Sequence, residues 1–129
     1  SAFILKSGGK KIFVGGDSGY DANFKKIGGQ AGGFDFALLE CGQYNEKWPN
    51  IHMMPEDTVQ AGVDLGAKAM MAVHWGKFKL ATHPWTDPIE RAHAKATALN
   101  VKLVTPKIGE TMKLENPIVG QMWWRETNR

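Results

Sequence analysis

Residues 68–76 read Lys-Ala-Met-Met-Ala-Val-His-Trp-Gly, a short apolar run that ends at a histidine. An apolar run of this length, following Gly66, predicts a strand that is buried in a sheet. His74 would then stand where the strand leaves the sheet. In α/β proteins this edge is where ligands bind, so the run predicts both a sheet and a site beside it.

The rest of the chain alternates strand-like and helix-like segments. The expected strands are Ala2–Leu5, Lys11–Val14, Phe34–Cys41, Lys68–Val73 and Val101–Thr105, and the first two are joined as a hairpin through Lys-Ser-Gly-Gly-Lys. The first two expected helices are Tyr20–Ile27, which Gly28 and Gly29 end, and Pro55–Leu65. A third helix is capped and started by Asp87-Pro88, is ended by Asn100 and has apolar residues at Ile89, Ala92, Ala96 and Leu99. This alternation predicts an α/β fold with a mixed sheet.

Two of the expected strands, Phe34–Cys41 and Ala69–Val73, are apolar on both faces. About three helices can cover one face of the sheet, and the other face then needs a different cover. We therefore expect helices on one face only, and either half of a sandwich or an oligomer.

Composition limits the function. The chain has 129 residues, 43% of them hydrophobic, which suits one globular domain spanning 1–129. Sixteen basic against thirteen acidic residues give a formal charge of +3 without a basic stripe, so we expect no nucleic-acid partner. The single cysteine, Cys41, and the lack of a long apolar segment favour a cytoplasmic location.

Asp17 and His74 both follow apolar strands, and a carboxylate and an imidazole there could hold zinc, manganese or iron. Plainer interpretations exist: an aspartate in Gly-Gly-Asp-Ser-Gly commonly bonds its own turn, and a histidine beside Trp75 can be a partly buried packing residue. The loop Gly15–Gly19 could instead cradle a phosphate or nucleotide, although it matches no phosphate-binding glycine motif. An interaction module without catalysis is a further alternative.

Six short motifs occur in order along residues 3–111. They are Gly16-Asp17-Ser18-Gly19-Tyr20, Gly42-x-Tyr44-x-x-x-Trp48, His52-x-x-Pro55-Glu56, Asp64-Leu65-Gly66-Ala67-Lys68, His74-Trp75-Gly76-x-Phe78 and Gly109-Glu110. Together they resemble the metallo-β-lactamase fold. Within it they are most similar to the branch of N-acyl-phosphatidylethanolamine-hydrolysing phospholipase D and its RomA-like and ascorbate-lactonase-like relatives.

The resemblance implies a role for each matching residue. Asp17 would bridge two divalent metal ions, with zinc expected and manganese or iron as alternatives, and His74 would be a terminal ligand of one of them. His52 would face the substrate as a catalytic proton donor or oxyanion partner. Apart from the resemblance, Tyr44, Trp48 and His83 are candidates for the substrate pocket, although His83 can equally be a surface-loop histidine packed by Pro84.

One family motif is missing. The family's His-x-His-x-Asp-His motif belongs to its N-terminal half, and this sequence contains no His-x-His. We therefore expect the chain to be the C-terminal half of an αββα sandwich, with the N-terminal half as its partner and self-association as a second possibility. The full protein would hydrolyse a phosphodiester, lactone or related ester, of a small molecule or lipid, and this chain alone would be inactive.

Overall fold

The structure, a computed structural model, describes residues 1–127. Its elements are β1 (Phe3–Ser7), β2 (Lys10–Val14), α1 (Asn23–Ala31), β3 (Phe36–Glu40), α2 (Pro55–Asp64), β4 (Met70–Val73), α3 (Asp87–Ala98), β5 (Leu103–Val104) and a short 3-10 helix (Trp123–Glu126). The predicted order of strands and helices is confirmed.

The five strands form one mixed sheet in the order β1-β2-β3-β4-β5. β1 and β2 are antiparallel, and each following pair is parallel. Gly8 and Gly9, with φ of 54° and 75°, make the turn between β1 and β2. Positive φ at both central residues matches the right-handed twist of a hairpin, so the expected antiparallel connection is confirmed.

The three helices cover one face of the sheet. Their buried side chains pack with the inward residues of the strands in one core, which includes Phe24, Val59, Leu65, Ile89 and Ala92 from the helices and Phe13, Ala37, Leu39, Met70 and Leu103 from the strands. Alternate residues of each strand point to opposite faces, and only one set meets the helices. The predicted α/β class with helices on one face is confirmed.

The other face of the sheet has a thinner cover. Phe36, Ala69 and Val104 are buried there, while Ile12, Leu38 and Met71 are only partly buried; Met112 and Leu114, from the segment after β5, lie against them. In β1, Phe3 and Leu5 are 61% and 55% exposed. This apolar surface is what the sequence led us to expect of a sheet without a second helical layer.

The expected end of α1 is wrong. The helix passes through Gly28 and Gly29 and ends at Ala31, and Gly32, whose φ is 69°, is its C-cap. Gly28 is in the helix because α2 crosses it closely: a Cβ there would lie 2.3 Å from the Asp64 carbonyl oxygen. The glycine pair therefore reflects helix packing at Gly28, and the left-handed cap lies further on.

Other boundaries shift by a few residues. β3 and β5 are both shorter than expected. In β3, Phe34 lies outside the strand because it joins Ala67 only through an isolated bridge. Thr86, rather than Asp87, is the N-cap of α3, and Leu99 is 41% exposed at its end. Among residues 1–127, no helix combines the length and the apolar character that crossing a bilayer requires.

Substituting the two glycines of α1 should have opposite effects. Gly28→Ala forces α1 and α2 apart and should lower the free energy of unfolding by about 1–3 kcal/mol. Gly29→Ala is the matched control, because a Cβ there meets nothing within 4 Å and alanine favours a helix by roughly 0.5–1 kcal/mol. Urea unfolding of both variants measures this. Equal effects would contradict the packing assigned to Gly28.

Candidate metal centre

The parallel register brings the ends of three strands to one edge of the sheet. Glu40, the last residue of β3, pairs with Val73, the last residue of β4. On the other side of β3, the amide of Gly15 donates to the Leu38 carbonyl oxygen at 2.9 Å as the chain leaves β2. The loops that follow all three strands must therefore start side by side.

Three predicted residues meet at this edge: Asp17, His52 and His74. Each offers one ligand atom, and these atoms all lie within 4.8 Å of one another. The Nδ1 atom of His74 is 3.7 Å from Oδ1 of Asp17. The rings of His52 and His74 are 5.2 Å apart between centroids. The structure thus brings together residues from three separate loops.

Close backbone contacts hold the Asp17 loop against the loop that carries His52. The Gly19 amide donates to the Asn50 carbonyl oxygen at 2.9 Å. A Cβ at Gly19 would lie 2.4 Å from the Pro49 carbonyl oxygen, so only glycine allows this approach. The loop 15–19 is therefore docked two residues before His52, which places Asp17 beside it.

His74 has a strained backbone that a second glycine supports. Its φ is 69°, a left-handed conformation that is uncommon outside glycine, although histidine adopts it more often than most residues. A Cβ at Gly42 would lie only 2.0 Å from the His74 carbonyl oxygen. The chain after β3 thus packs directly on the turn that directs the His74 side chain, and strain of this kind is found where function fixes a side chain.

Glu40 is the residue of this site that the sequence analysis missed. Its side chain is 1% exposed, and Oε2 lies 3.3 Å from Nδ1 of His52 and 3.9 Å from Nδ1 of His74. The Met53 amide donates to Oε1 at 2.5 Å. Burial raises the pKa of Glu40 to about 8 and lowers the pKa of His52. The signal was an acid ending an apolar strand, where acids are rare.

The pocket candidates form a separate cluster. Tyr44 stacks on His83 with ring centroids 4.2 Å apart, and its hydroxyl donates to the Asp87 carboxylate. Arg91 lies 5.0 Å above the Tyr44 ring. Tyr44, His83 and Arg91 line one depression, whereas Asp17 and His74 line others, so the pocket role stays a prediction.

Trp48 is held within its own loop. Its indole N–H donates to the Gln43 carbonyl oxygen at 2.8 Å. The backbone N–H of Gln43 in turn donates to Nε2 of His83 at 3.2 Å. Trp48 therefore helps to fix the loop that carries Tyr44, and its contact with substrate also stays a prediction.

The donor set at the edge of the sheet fits a divalent metal ion. One carboxylate and two imidazoles are the ligands that zinc and iron take in proteins, and Asp17 has two oxygens to share. Asp17 and His74 are 60% and 34% exposed, so both can be reached by further ligands. A closed zinc site needs about four ligands, so these donors could supply only part of a shell.

Comparison with known proteins identifies the family of the chain. Residues 1–75 match the model of the family described as "Beta-lactamase superfamily domain". The chain belongs to the metallo-β-lactamase superfamily. Its fold resembles that of Igni18, described as a novel metallo hydrolase from Ignicoccus hospitalis, with a TM-score of 0.62 at 23% identity over 83% of this chain and 42% of that one. The predicted family is confirmed, and one of the relatives of this chain is named a metal-dependent hydrolase.

Three curated proteins illustrate the relatives of this chain. An uncharacterized protein of Mycobacterium tuberculosis is 42% identical over 89% of this chain and 32% of its own. RomA of Klebsiella pneumoniae, named an outer membrane protein, is 44% identical over 60% of this chain and 58% of its own length. The mitochondrial N-acyl-phosphatidylethanolamine-hydrolyzing phospholipase D of Saccharomyces cerevisiae is 32% identical over 85% of this chain and 25% of its own length. The chain spans about a third of the length of the first of these relatives.

Adding a methyl group at Gly42 should disturb the metal centre through the backbone. Gly42→Ala must displace the His74 carbonyl, so we expect a loss of about 1–3 kcal/mol in unfolding free energy and weaker zinc binding. Calorimetric zinc titration beside urea unfolding checks both effects. Gly29→Ala is again the control and should leave zinc affinity unchanged. Full zinc affinity in Gly42→Ala would show that this contact does not position His74.

Proposed function

We propose that this chain supplies one side of a two-metal hydrolase centre, and that the complete protein hydrolyses a phosphodiester, a lactone or a related ester. The observation that carries the proposal is the convergence of Asp17, His52 and His74 on one edge of the sheet. The hydrolase family to which the chain belongs supports it.

Asp17 and His74 are proposed to be the metal ligands of this chain. The two carboxylate oxygens of Asp17 can face two ions, and the imidazole of His74 can complete the shell of one. Two bound ions would supply an activated water and polarise the ester. Zinc is the proposed metal because of the imidazole and carboxylate donors, with manganese or iron as alternatives.

His52 is proposed to move a proton during hydrolysis. Its side chain is 13% exposed, close to the ligand cluster but shielded from bulk water. Glu40 engages Nδ1, so Nε2 is the ring nitrogen left for the substrate. A neutral imidazole there can take up a proton and return it to the leaving group.

Tyr44, Trp48 and His83 are proposed to contact the part of the substrate that lies away from the bond being broken. The stacked Tyr44 and His83 rings offer a flat wall, beside which the Arg91 guanidinium is paired with Glu56. Such a wall suits a flat or apolar part of the substrate. In the complete protein, His83→Ala should raise KM more than it lowers kcat.

Phosphate or nucleotide binding by the Gly15–Gly19 loop alone is the weaker alternative. Asp17 and Asp21 both line the cavity of about 240 Å³ beside this loop. Two carboxylates repel an anion unless a cation lies between them. An interaction module without catalysis would not need a carboxylate and two imidazoles in contact.

The remaining ligands are proposed to come from an N-terminal half that carries the His-x-His-x-Asp-His motif. The sheet face formed by Ile12, Leu38 and Met71 is the surface on which this half would pack. Without it, the same face would favour self-association, which sedimentation velocity over a range of concentrations detects. A cytoplasmic location is likewise a proposal.

Zinc binding tests the ligand assignment. We expect the 129-residue chain to bind zinc weakly, and Asp17→Asn or His74→Ala to lower its affinity by about 10-fold or more. Asp21→Asn is the matched control, because Asp21 lines the same cavity outside the ligand cluster. Calorimetric titration measures all four proteins. Equal losses in Asp17→Asn and Asp21→Asn would remove Asp17 from its proposed role.

Catalysis should require the partner half. The purified 129-residue chain with zinc should hydrolyse neither a phosphodiester nor a lactone, because too few protein ligands hold the ions. Adding the N-terminal half should restore hydrolysis, measured with a chromogenic phosphodiester and a lactone. Hydrolytic activity that elutes together with the chain alone from two successive columns would contradict this expectation.

A further inference from the structure

Glu40 is a buried acid without a role in the centre as proposed so far. It lies outside the cluster formed by Asp17, His52 and His74, yet its side chain touches two of these residues. Its side chain is only 1% exposed, and a buried carboxylate is costly unless its oxygens are hydrogen-bonded. An acid that stays at such a position needs a physical reason.

The two oxygens of Glu40 have different surroundings. Oε1 accepts the Met53 amide hydrogen at 2.5 Å, which ties the residue after His52 to the end of β3. Oε2 lies 3.3 Å from Nδ1 of His52. The backbone oxygen of Glu40 accepts the Thr58 hydroxyl at 2.8 Å, so the strand end itself is fixed. The carboxylate therefore has a defined orientation toward the His52 ring.

We propose that Glu40 is a positioning residue, whose Oε2 accepts a hydrogen bond from Nδ1–H of His52 and so leaves the lone pair of Nε2 free. Above its raised pKa the Glu40 carboxylate is ionised and can only accept, so at the pH of the test below it selects the tautomer that carries the proton on Nδ1. Nε2 is then ready to take up a proton. The importance of this tautomer for turnover rests on the proposed function, but the tautomer itself does not.

A purely structural role makes a different prediction. If Glu40 only anchors the Met53 amide, any acceptor at Oε1 serves equally well and the His52 tautomer does not depend on the second oxygen. Glu40→Gln separates the two roles. The glutamine oxygen can keep the Met53 bond, while its NH₂ group replaces Oε2 and can only donate to Nδ1. The positioning role therefore predicts a switch of tautomer.

The test is long-range ¹H–¹⁵N NMR of the histidine rings in the uniformly labelled, metal-free chain at about pH 9.5, where the imidazole is neutral. In the unsubstituted chain we expect the His52 signal of an Nδ1–H tautomer. In Glu40→Gln we expect the Nε2–H tautomer to become the major form. Assignment of His52 comes from the spectrum of His52→Gln, which lacks the signal.

Cys41→Ala is the matched control. Cys41 is the fully buried neighbour of Glu40, and its Sγ contacts the Pro88 carbonyl oxygen on the side of α3. Its substitution disturbs packing at the same strand end but leaves the Glu40 carboxylate in place, so the His52 tautomer should not change. A tautomer switch in Cys41→Ala as large as in Glu40→Gln would overturn the proposal.

Two further results would overturn it. One is an Nε2–H tautomer of His52 in the unsubstituted chain, which decides the matter even if Glu40→Gln fails to fold. The other is a folded Glu40→Gln with an unchanged tautomer. Zinc titration of the same samples separates the two proposals: a chain that binds zinc but shows the wrong tautomer removes only the role of Glu40. A chain with the predicted switch but no zinc binding removes only the metal centre.

Discussion

The parallel register of β2, β3 and β4 is the constraint on which the site depends. Because Glu40 pairs with Val73 and Gly15 bonds to Leu38, the three strands end level with one another. Asp17, His52 and His74 lie on loops that start at this edge, and Glu40 is the last residue of β3. A shift of one residue in the pairing of β2 with β3, or of β3 with β4, would turn the inward side chains of the shifted strand to the other face of the sheet. It would also move the loop that follows that strand away from the site.

Two close backbone approaches convert this shared edge into a defined site. Gly19 lets the Asp17 loop contact Pro49 and Asn50, and Gly42 lets the chain after β3 contact the His74 carbonyl. Each approach excludes a side chain, so the loops can lie in van der Waals contact through their backbones. The buried Glu40 between the two histidines then adds an electrostatic cost that packing elsewhere offsets.

Sequence patterns predicted the sheet and part of the centre. Apolar runs ended by glycine or histidine located β2, β3 and β4, and parallel strands bring their ends together, so Asp17 and His74 could be expected to meet. The motifs added His52. Glu40 escaped because its position in an apolar run suggested a strand residue and nothing in the spacing shows that two imidazoles converge on it.

The end of α1 and the contacts of Tyr44 show a second limit. Gly28-Gly29 is typical of a helix end, but the close crossing of α2 at Asp64 requires Gly28 within the helix. The Tyr44 hydroxyl finds Asp87, 43 residues away, whose capping role the sequence had suggested instead. Local signals were overruled in both cases by contacts between distant segments.

Anomalous diffraction from a zinc-soaked crystal of the chain tests the central claim most directly. A zinc peak bonded to an Asp17 oxygen and a His74 nitrogen, each at about 2.0–2.2 Å, is the result that the account predicts. Zinc bound elsewhere on the chain, with Asp17 and His74 turned away from each other, would contradict it.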